Sequence, residues 1–67
     1  MNVLVLGRET AEGLRQWYSH IENGAVVWVN DVKDARAFQT QWYAELAQRM
    51  LCSMYGEWTM LDAVSIA

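Results

Sequence analysis

The stretch "QTQWYAELAQRMLCSMYGEW" (residues 39–58) decides the fold that this 67-residue sequence predicts, because it holds the densest run of large apolar side chains. These side chains fall on two neighbouring stripes of a helical wheel, which predicts one long helix. The first stripe, extended upstream, consists of Ala35, Phe38, Trp42, Leu46 and Met50. The second stripe consists of Tyr43, Ala47, Leu51 and Met54.

The ends of this helix are predicted from residues that cap helices. Asn30 or Asp31 can serve as the N-cap, so the helix should begin near residue 31. It should end near Tyr55, because Gly56 suits the left-handed position that follows a helix. Its apolar arc would cover near half of the circumference, which is wider than the stripe of about 100° that a surface helix buries.

The two stripes are predicted to have different roles. The first should cover a sheet and form the core, since one stripe is enough for that purpose. The second should contact another protein chain, because Tyr, Trp and Met are enriched at protein interfaces. The predicted protein-binding residues are Tyr43, Leu51, Met54 and Trp58.

Two short apolar runs are predicted to be strands. Residues 2–7 and 25–30 are rich in β-branched side chains and have no polar alternation, which is typical of strands covered on both faces. Residues 57–67 fit a third strand by their alternation, and a short helix is the other option for them.

Residues 11–23, between the first two strands, are predicted to form a helix. Four apolar side chains there have the spacing i, i+3, i+4 and i+7, which places them on one helical face. They are Leu14, Trp17, Tyr18 and Ile21. Asn23-Gly24 would then end this helix.

These elements predict an α/β fold with the order β-α-β-α(-β). One long helix in the C-terminal half would pack on a sheet of two or three strands. A helical crossover makes the first strand pair parallel, with a right-handed connection. An α+β arrangement with an antiparallel strand pair is the alternative. Residues 1–67 should form a single domain, because the chain is too short for two.

Composition argues against several kinds of site. Cys52 is the only cysteine, so the chain has no internal disulfide, and a lone thiol favours the cytoplasm. One cysteine and one histidine cannot complete a structural metal site. Gly7 lacks the companion glycines of a dinucleotide-binding turn. We therefore predict no metal and no cofactor.

No catalytic residues are predicted, and we expect that the protein is not an enzyme. On the predicted first helix Ser19 and His20 are adjacent, and adjacent helical residues do not face each other, so they should not form a nucleophile–base pair. Cys52 should behave as a small buried hydrophobe. An enzyme remains an alternative if an active site forms between subunits.

The charge pattern argues against nucleic acid and membrane as partners. The net charge is −3, and the five basic residues form no cluster that could neutralise phosphates. No apolar stretch approaches the roughly 20 residues of a membrane span, and the N-terminus has no basic signal-peptide region. We therefore predict a cytoplasmic protein without direct nucleic-acid or membrane contact.

The functional prediction follows from an excess of apolar surface. The chain is 54% hydrophobic, and a domain of this size buries only about 60% of the surface of its unfolded chain. We predict a small acidic protein–protein interaction module that forms a homodimer, through the second helix or a sheet edge, and binds a target protein with a basic surface. By analogy of size and composition, it would be a steric inhibitor or regulator of the kind that phages and mobile elements carry. A small subunit or structural component of a larger complex is the alternative.

Overall fold

A computed structural model describes residues 2–65 and shows a four-stranded antiparallel sheet with one helix packed on it. The strands are Asn2–Glu9 (β1), Arg15–Glu22 (β2), Ala25–Val29 (β3) and Met60–Ser65 (β4). The helix is Gln41–Tyr55 (α1), and a short 3-10 helix precedes it at Val32–Asp34. The strand order across the sheet is β3-β2-β1-β4, and each neighbouring pair is antiparallel. The predicted β-α-β-α(-β) fold is therefore wrong, and its α+β alternative provided for only one antiparallel pair.

Residues 15–22 form β2 in place of the predicted helix, and a β-bulge explains the error. The register between β2 and β3 shifts between Tyr18 and His20, so Ser19 is the extra residue of the bulge. As a result Tyr18 and Ile21 pack in the same core, although they are three positions apart. An unbroken strand would need an even separation for this. The bulge thus reproduces the spacing that predicted a helix.

Asn23 and Gly24 form a hairpin turn and do not end a helix. Glu22 pairs with Ala25, which leaves a loop of two residues. Asn23 has φ 52° and Gly24 has φ 75°, and two positive φ values are the requirement of a type I′ turn. This turn makes β2 and β3 antiparallel neighbours.

The long helix begins ten residues later than predicted. Asp31 caps only the short 3-10 helix, where its Oδ1 accepts from the Lys33 N–H at 3.0 Å. Thr40 is the N-cap of α1, and its Oγ1 accepts from the Tyr43 N–H at 3.3 Å. The predicted end is confirmed, because α1 stops at Tyr55 and Gly56 adopts the left-handed conformation.

The central strand β1 has two different partners on its β2 side. Residues 7–9 pair with β2, whereas Leu4 exchanges two backbone hydrogen bonds with Phe38, at 2.9 and 2.8 Å. The Arg36 N–H donates to the carbonyl of Tyr18 in β2 at 2.9 Å. The segment before α1 is therefore bonded to both strands.

On its other side β1 pairs with β4 along nearly its whole length. The register runs from Asn2 opposite Ser65 to Gly7 opposite Met60. The strand predicted for residues 57–67 is thus present over residues 60–65, while residues 66 and 67 lie outside the described part of the chain.

The hydrophobic core lies between α1 and one face of the sheet. Its buried centre consists of Leu6 from β1, Tyr18 from β2 and Leu51 from α1. Partly buried side chains pack around this centre; they are Ile21, Val26, Trp28, Phe38, Ala47, Met50, Tyr55 and Leu61. Within residues 2–65, no helix has the length and apolar character that crossing a bilayer requires.

Candidate protein-interaction surface

The inner face of α1 is defined by its small and buried residues. Ala44 and Leu51 are fully buried, and Ala47 and Tyr55 pack against the core. These four residues have the spacing i, i+3, i+7 and i+11, which forms one stripe along a helix. The stripe fixes the rotation of α1 on the sheet, and therefore fixes which side chains face away from it.

Four large apolar side chains face solvent from α1, and we call them the outer face of α1. They are Trp42, Tyr43, Leu46 and Met54. Each of them keeps between 43% and 69% of its surface exposed. The rings of Trp42 and Tyr43 meet edge to face, with their centroids 4.8 Å apart. The outer face therefore presents aromatic, branched and thioether side chains along the length of the helix.

The predicted protein-binding residues fall into two groups. Tyr43 and Met54 lie on the outer face, and Trp58, just after α1, is 81% exposed. Leu51 does not lie on this surface, because the structure places it fully buried in the core. Leu51 and its stripe neighbour Ala47 both pack in the core. The part of the second stripe that they form therefore faces the sheet and not a partner.

Two residues of the outer face were not among the predicted protein-binding residues. Trp42 and Leu46 were predicted to be core residues, and the structure leaves both of them exposed. Phe38 and Met50, from the same predicted stripe, do pack against the core. The signal that could have separated them is the pair Ala44 and Ala47, whose small side chains let a helix approach a sheet closely.

A groove of about 540 Å³ lies on the opposite flank of α1. The side chain of Gln48 holds the segment after the helix in place, since its Nε2 donates to the Thr59 carbonyl at 2.8 Å. The free thiol of Cys52 is half-buried there. The residues that line the groove are Gln48, Arg49, Cys52, Ser53, Trp58 and Thr59. The exposed indole of Trp58 therefore borders a shallow depression beside the helix.

Arg8 positions the segment that carries Trp58. Its Nη1 donates to Glu57 Oε2 at 2.6 Å, and its Nε and Nη2 donate to Gln16 Oε1 at 3.1 and 2.9 Å. The guanidinium carbon also lies 4.0 Å from the centroid of the Trp28 ring. Both charged side chains are partly buried, which reduces screening by water. The link between β1 and Glu57 therefore restrains the chain directly before Trp58.

Ser19 and His20 approach each other, contrary to the prediction from a helical reading. The bulge in β2 places Ser19 Oγ 2.9 Å from His20 Nδ1, and Glu22 Oε2 is 3.9 Å from His20 Nε2. His20 and Glu22 are open to solvent, and none of the three residues lines the groove beside α1. The contact between Ser19 and His20 is a hydrogen bond at the protein surface.

The acidic side chains of the described residues do not form a metal-binding site. Among residues 2–65 no three His, Cys, Asp or Glu side chains are placed to hold a metal ion. Asp31 is occupied as a cap, and Asp62 pairs with Arg15 at 2.8 Å.

No protein-family model matches this chain, and no curated protein or solved structure is significantly similar to it. The chemistry of the exposed surface is therefore the guide to function, because a fold alone does not define a function.

Proposed function

We propose that this chain is a protein–protein interaction module that binds a target protein through the outer face of α1. The observation that carries the proposal is the exposure of Trp42, Tyr43, Leu46 and Met54 on one helix. Adjacent exposed side chains of this size form an apolar patch, and such patches commonly mark binding surfaces.

The composition of the outer face matches the anchors of known interface types. Trp and Tyr are the residues that most often dominate binding energy, because they bury a large area and carry a polar atom. A helix that presents such residues docks into an apolar groove of its partner. Burial of each large side chain contributes roughly 1.5–3 kcal/mol before the costs of association are subtracted.

We further propose that the target is basic and that binding is steric. The chain has eight acidic and five basic residues, and two of the arginines already pair with acids inside the fold. Glu9, Glu12 and Asp34 are exposed and add a negative field that would steer the chain to a basic surface. Occupation of that surface would make the protein an inhibitor or regulator. The unpaired thiol of Cys52 supports a cytoplasmic location.

The decisive experiment introduces a photo-reactive amino acid at single positions of the purified chain. With the probe at Tyr43 or Met54, irradiation in a lysate should cross-link a specific target. The matched control places the same probe at Leu14, which is 63% exposed but lies in the β1–β2 loop. If the same proteins are cross-linked from all three positions, the outer face of α1 is not the binding surface.

The identified target then separates inhibition from structural assembly. Adding equimolar purified chain should lower the activity of the isolated target if the mechanism is steric. A target whose activity is unchanged, but whose assembly fails without this chain, would instead identify a subunit of a larger complex.

A further inference from the structure

The strand β3 forms one open edge of the sheet. It pairs with β2 on one side, and no strand of the described residues lies on its other side. Among residues 2–65, no backbone hydrogen bond outside the β2 ladder reaches residues 25–29. The outward N–H and C=O groups of β3 are therefore free to pair with another strand.

The sequence of this edge contains neither a charged residue nor a proline, although the strand is short and a bulge lies in the neighbouring β2. β3 reads AVVWV, and it is the only helix or strand in residues 2–65 that contains no charged residue. Natural proteins commonly protect open edges with charges, prolines or bulges. The opposite edge, β4, does carry a charge in its middle, at Asp62. The two edges thus differ in their readiness to pair.

We propose that a second copy of this chain pairs with β3, so that two four-stranded sheets become one continuous eight-stranded sheet. The two strands would run antiparallel about a two-fold axis at Val27. In this register Val27 of one copy lies opposite Val27 of the other, and Val26 lies opposite Trp28. Antiparallel pairing about a residue always aligns outward-facing groups with outward-facing groups, so the edge is complementary to itself.

Charge is the reason that the occupant is a second copy. Each copy carries a net charge of −3, so most surfaces of two copies repel each other. The β3 edge brings no carboxylates together, because continuing the register places Asp31 opposite Asn23 of the other copy. Pairing of two β4 edges, in contrast, would bring two Asp62 side chains near each other. The uncharged edge is therefore where an acidic chain can meet itself.

The size of the contact sets its expected strength. Five residues on each strand form about four to six backbone hydrogen bonds, together with two Val26–Trp28 cross-strand pairs. Such an edge contact lies at the low end of interface sizes, so we expect a dimer that dissociates on dilution. This proposal does not depend on the outer face of α1, which lies on a different element.

The two-fold axis at Val27 allows a charge test. In Val27→Lys two ammonium groups would face each other, and in Val27→Glu two carboxylates would do so. Each variant alone should raise the dimer dissociation constant by about tenfold or more, as measured by sedimentation velocity over a concentration series. An equimolar mixture of the two variants should recover the association, because opposite charges then meet. The matched control, Ala63→Lys on β4, should sediment like the unaltered chain.

A second variant keeps the test decisive if a charge at residue 27 prevents folding. In a Cys52→Ser background, Val27→Cys should form an intermolecular disulfide under mild oxidation, because residues on the axis face each other. Far-UV circular dichroism should be recorded for every variant to check that it is folded. A chain that stays monomeric at all concentrations would overturn the proposal. So would a dimer that ignores both charges and does not form the disulfide, or one that is lost only on changing Trp42 or Tyr43.

Discussion

In the first half of α1 the buried face carries small side chains and the exposed face carries large ones. Ala44 and Ala47 face the sheet there, whereas Trp42, Tyr43 and Leu46 face solvent. Towards the end of the helix the inner face carries the larger Leu51 and Tyr55. The sheet supplies most of the bulk beneath the helix, through side chains such as Leu6 and Tyr18. Fit to the opposing surface therefore decides which face of α1 is buried, and side-chain size alone does not.

The two faces of α1 should therefore contribute to different properties, the inner face to stability and the outer face to binding. Side chains on the inner face hold the helix to the sheet, whereas those on the outer face contribute little to the free energy of unfolding of the monomer. Substitutions on the two faces should therefore have effects of different size and kind.

The largest effect on stability is expected for Leu51→Ala. Leu51 is fully buried against Leu6 and Tyr18, and truncation of such a leucine costs about 2–5 kcal/mol. Urea denaturation should show this loss as a lower midpoint with little change in slope. Met54→Ala, on the outer face, is the matched control and should change the free energy of unfolding by less than about 0.5 kcal/mol. Equal losses in the two variants would remove the distinction between the faces.

A smaller loss of stability is expected from Ala44→Leu, because the larger side chain must fit where the inner face of α1 has no free space. Ala44 is fully buried, so the larger side chain must displace its neighbours at a cost of about 1–3 kcal/mol. Thermal unfolding followed by circular dichroism would measure it. A variant as stable as the parent would show that α1 does not approach the sheet closely at this position.

A substitution at Gly56, the residue that ends α1, tests the stability of the helix end that both faces share. Gly56 has φ 67°, and apart from Gly56 and its two chain neighbours no atom of the described residues lies within 4 Å of the position where a Cβ would be. Gly56→Ala should therefore cost about 1–2 kcal/mol through backbone conformation alone. Gly56→Asn should cost less, because asparagine tolerates the left-handed region better. Equal costs for the two substitutions, in urea denaturation, would contradict this reason.

The smallest effect on stability, combined with the largest effect on binding, is expected from the double variant Tyr43→Gln with Met54→Gln. Both side chains are exposed, so each substitution should alter the free energy of unfolding by less than about 0.5 kcal/mol. Capture of the target identified by cross-linking should fall below detection. Retained capture by a folded double variant would assign target binding to another surface.

The sequence was sufficient to predict that residues 41–55 are helical and where the helix ends, but not where it begins or how it is rotated. Gly56 and Tyr55 mark the helix end because a left-handed glycine is a strong local signal. The inner face could not be identified, because it depends on which side chains of the sheet oppose the helix. Apolar residues surround much of α1, so the pattern alone allowed Trp42 inside and Leu51 outside.

The sheet was mispredicted for a local reason. Helical spacing of Tyr18 and Ile21 arises from one extra residue, Ser19, and a bulge leaves no distinctive mark in a single sequence. Asn23-Gly24, in contrast, is a strong hairpin signal when two β-rich runs flank it. Reading residues 15–22 as helical prevented that signal from being recognised.

The position of β1 has a consequence for how the chain acquires its structure. β1 comes first in the described sequence, yet its neighbours include the backbone of Phe38 and the strand Met60–Ser65. Bringing such distant segments together costs loop-closure entropy before any contact compensates for it. The β2–β3 hairpin can form early and locally, but the pairing of β1 with β4 must wait for residues 60–65. During synthesis, the apolar strand β1 is therefore made well before β4, the strand that pairs with it.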